Sequence, residues 1–317
     1  MTPSAEAIAR FAADLDALVP ADTRIGIAVS GGPDSLALLL LASAARPAMV
    51  EAATVDHGLR TESADEAAMV GSVCERLGIE HRILLADWPE APAANVQAAA
   101  RAMRYRLLSD WAKDAGLPAI ATAHHADDQA ETLLMRLLRG AGVGGLGGTR
   151  ACRALTDHLL LIRPLLTWRK SELVEIVAEA GLEPVDDPSN RDPRHDRSRV
   201  RSMLSRAEWA DPARLAASAS ALRDADEALD WALAPLLGSR IVQTCDSLII
   251  EPFDLPRELK RRLLLAAFGE LGAQAPRGPD LMRAIDALEA GQTVTLSGLK
   301  LQGGDRWRLS LAPPRKS

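Results

Sequence analysis

The sequence predicts an α/β fold, a parallel sheet with helices on both faces, followed by a smaller, mostly helical domain that ends in a β-hairpin. Three observations predict it. From Arg24 to Ile162 short apolar runs alternate with longer helical ones, the rhythm of strands joined by crossover helices. A glycine-rich turn, Ser30-Gly-Gly-Pro-Asp-Ser35, separates the first run from an apolar helix, where a ligand loop belongs in such a fold. Beyond Asp211 the alternation gives way to helical patterns and then to two short apolar runs around Gly303-Gly-Asp305. A chain of 317 residues, 48% hydrophobic, can bury two cores, and the change of style divides it into 1–207 and 208–317.

Taken in order, strands are expected at Ile25–Val29, Ala48–Val55, Glu80–Leu85, Ala119–Ala123 and Leu159–Ile162. The first helix starts near Asp34 and buries Leu36, Leu39 and Leu40. A second opens on the capping spacing Ser63-x-x-Glu66 and stops at Gly78. The third runs from Val96 to Ala115, with Gly116 and Pro118 as stop signals, and the fourth from Asp127 to Arg139 into a glycine-dense stretch. Turn residues make Glu183-Pro-Val-Asp-Asp-Pro-Ser-Asn-Arg-Asp-Pro193 a loop. Helices follow at about 212–236, 257–272 and 279–290, and Thr293-Val-Thr-Leu and Trp307-Arg-Leu-Ser-Leu flank the terminal turn as a hairpin.

Composition excludes several classes. The longest apolar run, Leu36 to Ala45, is about half a bilayer span, so no membrane partner is expected. The N-terminus lacks a basic start followed by an apolar stretch, which points to the cytoplasm. Cys74, Cys152 and Cys245 are too far apart in sequence for a Cys-x-x-Cys metal or redox pair. A net charge of -6 repels a polyanion at long range, so nucleic acid would need a local basic patch.

The turn after the first strand suits phosphate. Glycines let backbone N–H groups approach an anion, the helix N-terminus adds positive potential, and the Ser30 and Ser35 hydroxyls add donors. No Gly-x-x-x-x-Gly-Lys-Ser/Thr string occurs, which disfavours ordinary γ-phosphoryl transfer, and Gly-x-Gly-x-x-Gly is missing from the loop, which disfavours a dinucleotide. Strand two ends in Asp56-His57-Gly-Leu-Arg60 and strand four in His124-His125, so both converge with the loop on the carboxyl edge of the sheet. Each histidine alone is an ordinary structural residue; together with the loop they mark a crevice. Gln97, Arg101 and Arg104 share one helix face, either as a solvated charged stripe or as a seat for phosphate or carboxylate. Asp127, Asp128 and Glu131 open the next helix. They either compensate its dipole or, as Asp128 with Glu131, form an anionic pocket for Mg²⁺ or an ammonium group.

Ser-Gly-Gly-x-Asp-Ser resembles the pyrophosphate loop of the N-type ATP pyrophosphatases, the PP-loop superfamily, which adenylate a substrate on a Rossmann-like sheet. The string His124-His-Ala-Asp-Asp-Gln-Ala-Glu-Thr132, with Asp56–Arg60, Ala100-Arg-Ala-Met-Arg-Tyr105, Leu138-Arg-Gly-Ala-Gly142, Arg163-Pro-Leu-Leu166 and Asp187-Pro-Ser-Asn190, is similar to the tRNA(Ile)-lysidine synthetase family over most of the chain. The resemblance implies a cytoplasmic ligase. It activates cytidine 34 in the CAU anticodon of tRNA(Ile) with ATP and Mg²⁺, joins L-lysine to C2, and shifts codon reading from AUG to AUA.

Carried residue by residue, the resemblance places ATP on Ser30, Gly31, Gly32, Pro33, Asp34 and Ser35, with Asp56 and His57 beside it, and expects no fixed protein metal site. It gives Asp34, Arg104, Asp128 and Glu131 catalytic roles, with Asp128 and Glu131 holding lysine. Charge counting nominates the tRNA contacts: Arg197, Arg199 and Arg201 in an arginine-rich stretch, and Arg261 and Arg262 in another. Gln97 stands where family members commonly have Glu, and the chain reads as a short form without their extra C-terminal domain. Oligomeric state is left open, a homodimer included. The competing readings are a thiolase with the same loop, disfavoured by the lone cysteines, and an ATP sensor, which leaves the helix acids and basic stretches without a purpose.

Overall fold

The computed structural model describes residues 1–58, 63–88, 96–185, 196–207 and 209–312, without the side chains of Val96 and Gln97. Arg60, Asp187–Asn190, Arg191 and Arg194 lie outside the described residues, as does any role for the Gln97 side chain. In chain order the elements are α1 (Ala5–Asp16), β1 (Ile25–Ala28), α2 (Pro33–Ala45), β2 (Val50–Asp56), α3 (Ser63–Leu77), β3 (Glu80–Leu85), α4 (Val96–Asp114), β4 (Ala119–Ala121), α5 (Ala126–Leu137), α6 (Val143–Leu146), β5 (Cys152–Thr156), β6 (Leu159–Ile162), α7 (Lys170–Glu179) and α8 (Asp196–Arg206). They continue with α9 (Pro212–Arg240), β7 (Ile241–Gln243), β8 (Ser247–Ile250), α10 (Arg257–Glu270), α11 (Gly278–Glu289), β9 (Thr293–Leu296), β10 (Leu299–Gln302) and β11 (Trp307–Leu311).

The first sheet has the order β3-β2-β1-β4-β6-β5, parallel except for the edge strand β5. The central strands are short and apolar on both faces, as a covered parallel sheet requires: Ile25 and Ile27 of β1 and all of β4 are buried. One layer packs α1, α2, α3 and α7 on the sheet through Phe11, Leu36, Leu39, Val70 and Leu173; the other packs α4 through Leu108 and Trp111. α2 is apolar nearly all round, which is why it lies inside this layer rather than on the surface. Strand order reverses between β1 and β4, so the loops after those two strands flank the point where open α/β sheets bind ligands.

The backbone divides into two compact units, 1–140 with 145–221, and 141–144 with 222–317, a division that falls within α9. The second unit differs from expectation at its end. Instead of one hairpin it holds a five-stranded antiparallel sheet, β7-β8-β11-β10-β9, with its own core from Leu263, Phe268, Ile285, Leu301 and Trp307. The Gly303-Gly304 turn joins β10 to β11, not β9 to β11. β10 is created by a two-residue connection, Ser297 and Gly298, both at positive φ (47° and 80°), the geometry that twists with the strands it joins. Gly303 is required there because a Cβ would stand 2.3 Å from the Leu288 carbonyl oxygen.

Candidate active site

β1 delivers the chain into a turn whose shape is set by its own side chains. The Ser30 backbone N–H donates to Ser35 Oγ at 3.1 Å, and Ser35 Oγ donates to the Gly32 carbonyl at 3.0 Å. Gly31 adopts φ +81°, which a side chain strains to reach, and its carbonyl accepts from the Val185 N–H at 2.9 Å, so the strand-to-helix turn is clamped by a distant segment. Gly32 precedes Pro33 at the first position of α2, where proline's missing N–H costs nothing and the remaining N–H groups point out of the helix end.

β4 delivers His124 and His125 to the same edge. The His125 side chain is 2% exposed, and its Nε2 lies 3.5 Å from Asp34 Oδ2 and 3.5 Å from Asp128 Oδ2, while Nδ1 lies 3.6 Å from Asp127. Burial works to lower the His125 pKa, but the carboxylates of Asp127, Asp34 and Asp128 gathered around the ring outweigh it and push it up to about 10. His125 is therefore an imidazolium at neutral pH, and it joins the phosphate loop to the acidic start of α5. His124 goes the other way. Burial, with Arg163, Arg101 and Arg197 nearby, pushes it down to about 4 against the pull of Asp128, leaving a neutral ring bonded to Thr122 Oγ1 at 3.0 Å.

The acids have distinct surroundings. Asp127 accepts from the Lys170 backbone N–H at 2.8 Å, which makes it a cap for α7. Asp128 accepts from the His125 N–H at 3.2 Å and from Arg197 Nη2 at 2.5 Å. Glu131, 2% exposed, accepts from Arg197 Nε and Arg201 Nε, each at 2.6 Å. Asp34 Oδ1 is buried without a hydrogen-bond partner, an open acceptor within the loop. Asp56 is engaged by its own turn: the Gly58 N–H and Ser63 hydroxyl donate to Oδ1 at 2.8 and 2.6 Å, with Ser63 the larger cause of its lowered pKa. His57 sits 3.5 Å from Arg104 Nη2, and burial with the Arg104 charge lowers its pKa against the pull of Asp56.

Residues 2–208 match the family model described as a PP-loop domain, an ATP-binding domain. The chain is 49% identical to a tRNA(Ile)-lysidine synthase of Novosphingobium aromaticivorans over 98% of its own length and 95% of that protein. The chain belongs to the tRNA(Ile)-lysidine synthase family. The synthase of Zymomonas mobilis is 44% identical over 94% of this chain and 91% of its own. Among solved structures, a U34-tRNA thiolase from Methanococcus maripaludis superimposes with a TM-score of 0.55 at 18% identity, covering 68% of this chain and 77% of that one, a likeness of fold alone.

Ser30 to Ser35 follow β1, Asp56 ends β2 with His57 next to it, and Asp128 and Glu131 lie near the start of α5 just past β4, while Arg104 of α4 approaches the same edge through His57. The five arginines nominated by charge counting do not form a free basic patch. Arg197 and Arg201 face Asp128 and Glu131, Arg199 pairs with Asp196, Arg261 with Glu258, and Arg262 with Asp226, Asp230 and Glu258. Asp196 and Glu258 stand within the counted stretches, but charge counting missed Asp128 and Glu131, 66 to 70 positions before Arg197 and Arg201, and Asp226 and Asp230, 36 and 32 positions before Arg262. Sequence reasoning also missed the Val185 clamp on Gly31, which carries no side-chain signal because it is a backbone bond. Among the described residues no helix is long and apolar enough to cross a membrane.

Proposed function

We propose that the chain makes lysidine in two steps in this crevice. The C2 carbonyl oxygen of cytidine 34 in the CAU anticodon of tRNA(Ile) attacks the α-phosphorus of ATP and pyrophosphate leaves. The lysine side-chain amine then attacks C2 and AMP leaves. Ser30, Gly31, Gly32, Pro33, Asp34 and Ser35 hold the departing pyrophosphate, with Asp56 and His57 bordering the nucleotide. Arg104 stabilises charge on the reacting phosphate. The open acceptor Asp34 Oδ1 fits Mg²⁺, which proteins commonly hold through one or two carboxylates plus substrate phosphates; when bound it neutralises charge on the phosphate oxygens.

Lysine poses the demanding step. A free side-chain amine has a pKa of about 10.4 and is protonated at neutral pH, so it must be bound as a cation and lose a proton as it attacks. Asp128 and Glu131 supply both functions: their carboxylates, which also accept from Arg197 and Arg201, orient the ammonium, and one of them accepts the proton. The observation that carries this reading is His125, whose Nε2 touches Asp34 of the phosphate loop and Asp128 of the acidic pair at the same distance, 3.5 Å, and so fixes the nucleotide half of the site against the amino-acid half.

The test is incubation of the protein with ATP, unmodified tRNA(Ile) transcript and labelled lysine. Label entering RNA together with AMP formation is the expected result. A thiolase ignores lysine and a sensor makes no AMP. Asp128→Asn and Glu131→Gln are expected to lower lysine transfer at least about a hundred-fold while leaving ATP binding in place; unchanged transfer in both would reject the acid pair.

A further inference from the structure

Four arginines beside the crevice have no carboxylate opposite them among the described residues; two lie over the ring of the single tyrosine of the chain, and a third, Arg163, interacts with its hydroxyl. The Arg101 guanidinium lies 5.1 Å from the Tyr105 ring centroid and its Nη2 donates to the Tyr105 hydroxyl at 3.1 Å. Arg153, on the edge strand β5, lies 5.3 Å from the same ring. Arg163, at the end of β6, is 2% exposed; its Nη1 donates to the Arg150 carbonyl at 2.5 Å, and its Nε is buried with no partner. Arg104, one helical turn from Arg101, reaches His57 at 3.5 Å and so joins this group to the ligand edge of the sheet.

The contrast with the other arginines is the argument. The five guanidiniums of α8 and α10 nominated from sequence are each satisfied by carboxylates of the chain, while these four repel one another with only neutral groups to soften the charge: the Tyr105 ring and hydroxyl, the Arg150 carbonyl and His57. A buried guanidinium with an open N–H carries a desolvation cost that an anionic acceptor offsets best. One carboxylate would leave most of this charge unmatched; a chain of phosphodiesters would match it.

We propose that Arg101, Arg153 and Arg163, gathered on Tyr105, hold the phosphodiester backbone of the anticodon loop as its cytidine enters the crevice. The inference rests on the reading of tRNA as substrate. Arg101 and Arg153 are exposed and grip phosphates by charge; Tyr105 spaces them and offers a ring edge to the splayed loop. Arg163 is the fixed floor of the seat.

The test is equilibrium binding of a tRNA(Ile) transcript with the CAU anticodon across a salt series, beside lysine-transfer kinetics, for the wild type, Arg101→Gln/Arg153→Gln and Arg101→Lys/Arg153→Lys. The glutamine pair is expected to bind tRNA about ten-fold more weakly and to flatten the slope of log K against log salt by about 1.4, two single-strand phosphate contacts at about 0.7 each. KM for ATP and for lysine stays within two-fold, and the lysine pair restores the slope. An unchanged affinity and slope in the glutamine pair overturns the proposal, and so does a rise in the KM for lysine with tRNA binding intact, which would give the cluster to the amino acid's carboxylate. A wild type that binds tRNA with the steep slope but transfers no lysine would instead refute the ligase reading and leave this surface standing.

Discussion

Gly31 carries the residue-scale consequence of the loop. Its φ of +81° costs a side chain about 1–2 kcal/mol, and a Cβ would press on Val185 at 3.0 Å, the residue whose N–H closes the clamp. Gly31→Ala is therefore expected to reduce ATP-dependent AMP formation at least about ten-fold while the circular dichroism spectrum stays that of the wild type. A second prediction concerns the cysteines. Burial pushes the Cys74 thiol up to about 12, whereas Cys245 is exposed. Since the thiolate is the reactive form, maleimide at neutral pH should label Cys245 readily and Cys74 only after denaturation, a pattern read by peptide mass; rapid native labelling of Cys74 would contradict its burial.

At the scale of elements, α8 is held by charge more than by apolar packing. Of its eleven residues only Val200 is buried, and Arg197 and Arg201 bind Asp128 and Glu131 of α5. Glu131→Gln removes an acceptor of both arginines and should lower amide-exchange protection across 196–206 by about ten- to a hundred-fold, the weight of a charge-assisted bond. The pH dependence follows from Asp128. Burial alone would raise its pKa, yet His125, Arg197 and His124 around it hold it below the ordinary carboxylate range. A depressed folded-state pKa contributes stability that is present above the unfolded value of about 3.9 and lost as pH falls through the folded one. Protection of α8 should thus be level from about pH 8 to 5 and collapse only below about pH 4. The sequence showed where α2, α4 and α5 lie because apolar period and stop residues are local; Val96 and Thr293 start elements where expected. α8 was illegible as a docked helix because its partners are acids some 66 to 70 positions away, and β5 because Cys-Arg-Ala-Leu-Thr leaves much of an edge strand in water. The loop and acids of the site were legible as motifs; the imidazolium between them was not, since it depends on Asp34 and Asp128 meeting across the strand order.

On the scale of the whole molecule, each unit has its own apolar core, and the second adds a charge network that sequence counting had assigned to RNA. Arg262 is 8% exposed and is held by Asp226, Asp230 and Glu258 around one guanidinium, within the unit that contains Leu263, Leu264 and Trp307. Removing the cation leaves three acids facing one another at the edge of that core. Arg262→Met keeps the aliphatic stem that packs there but not the charge, and it is expected to destabilise the second unit by about 3 kcal/mol, the lower end for breaking a buried pair because the acids are part-exposed. Urea unfolding followed by hydrogen exchange across α10 and α11 reads this as a lower midpoint at unchanged m-value. Nucleotide affinity should stay that of the wild type, because the phosphate loop and its clamp belong to the first unit. If Arg262 were instead a free RNA contact, the substitution would leave the midpoint where it is and lower only tRNA affinity, so one variant separates an architectural guanidinium from a binding one.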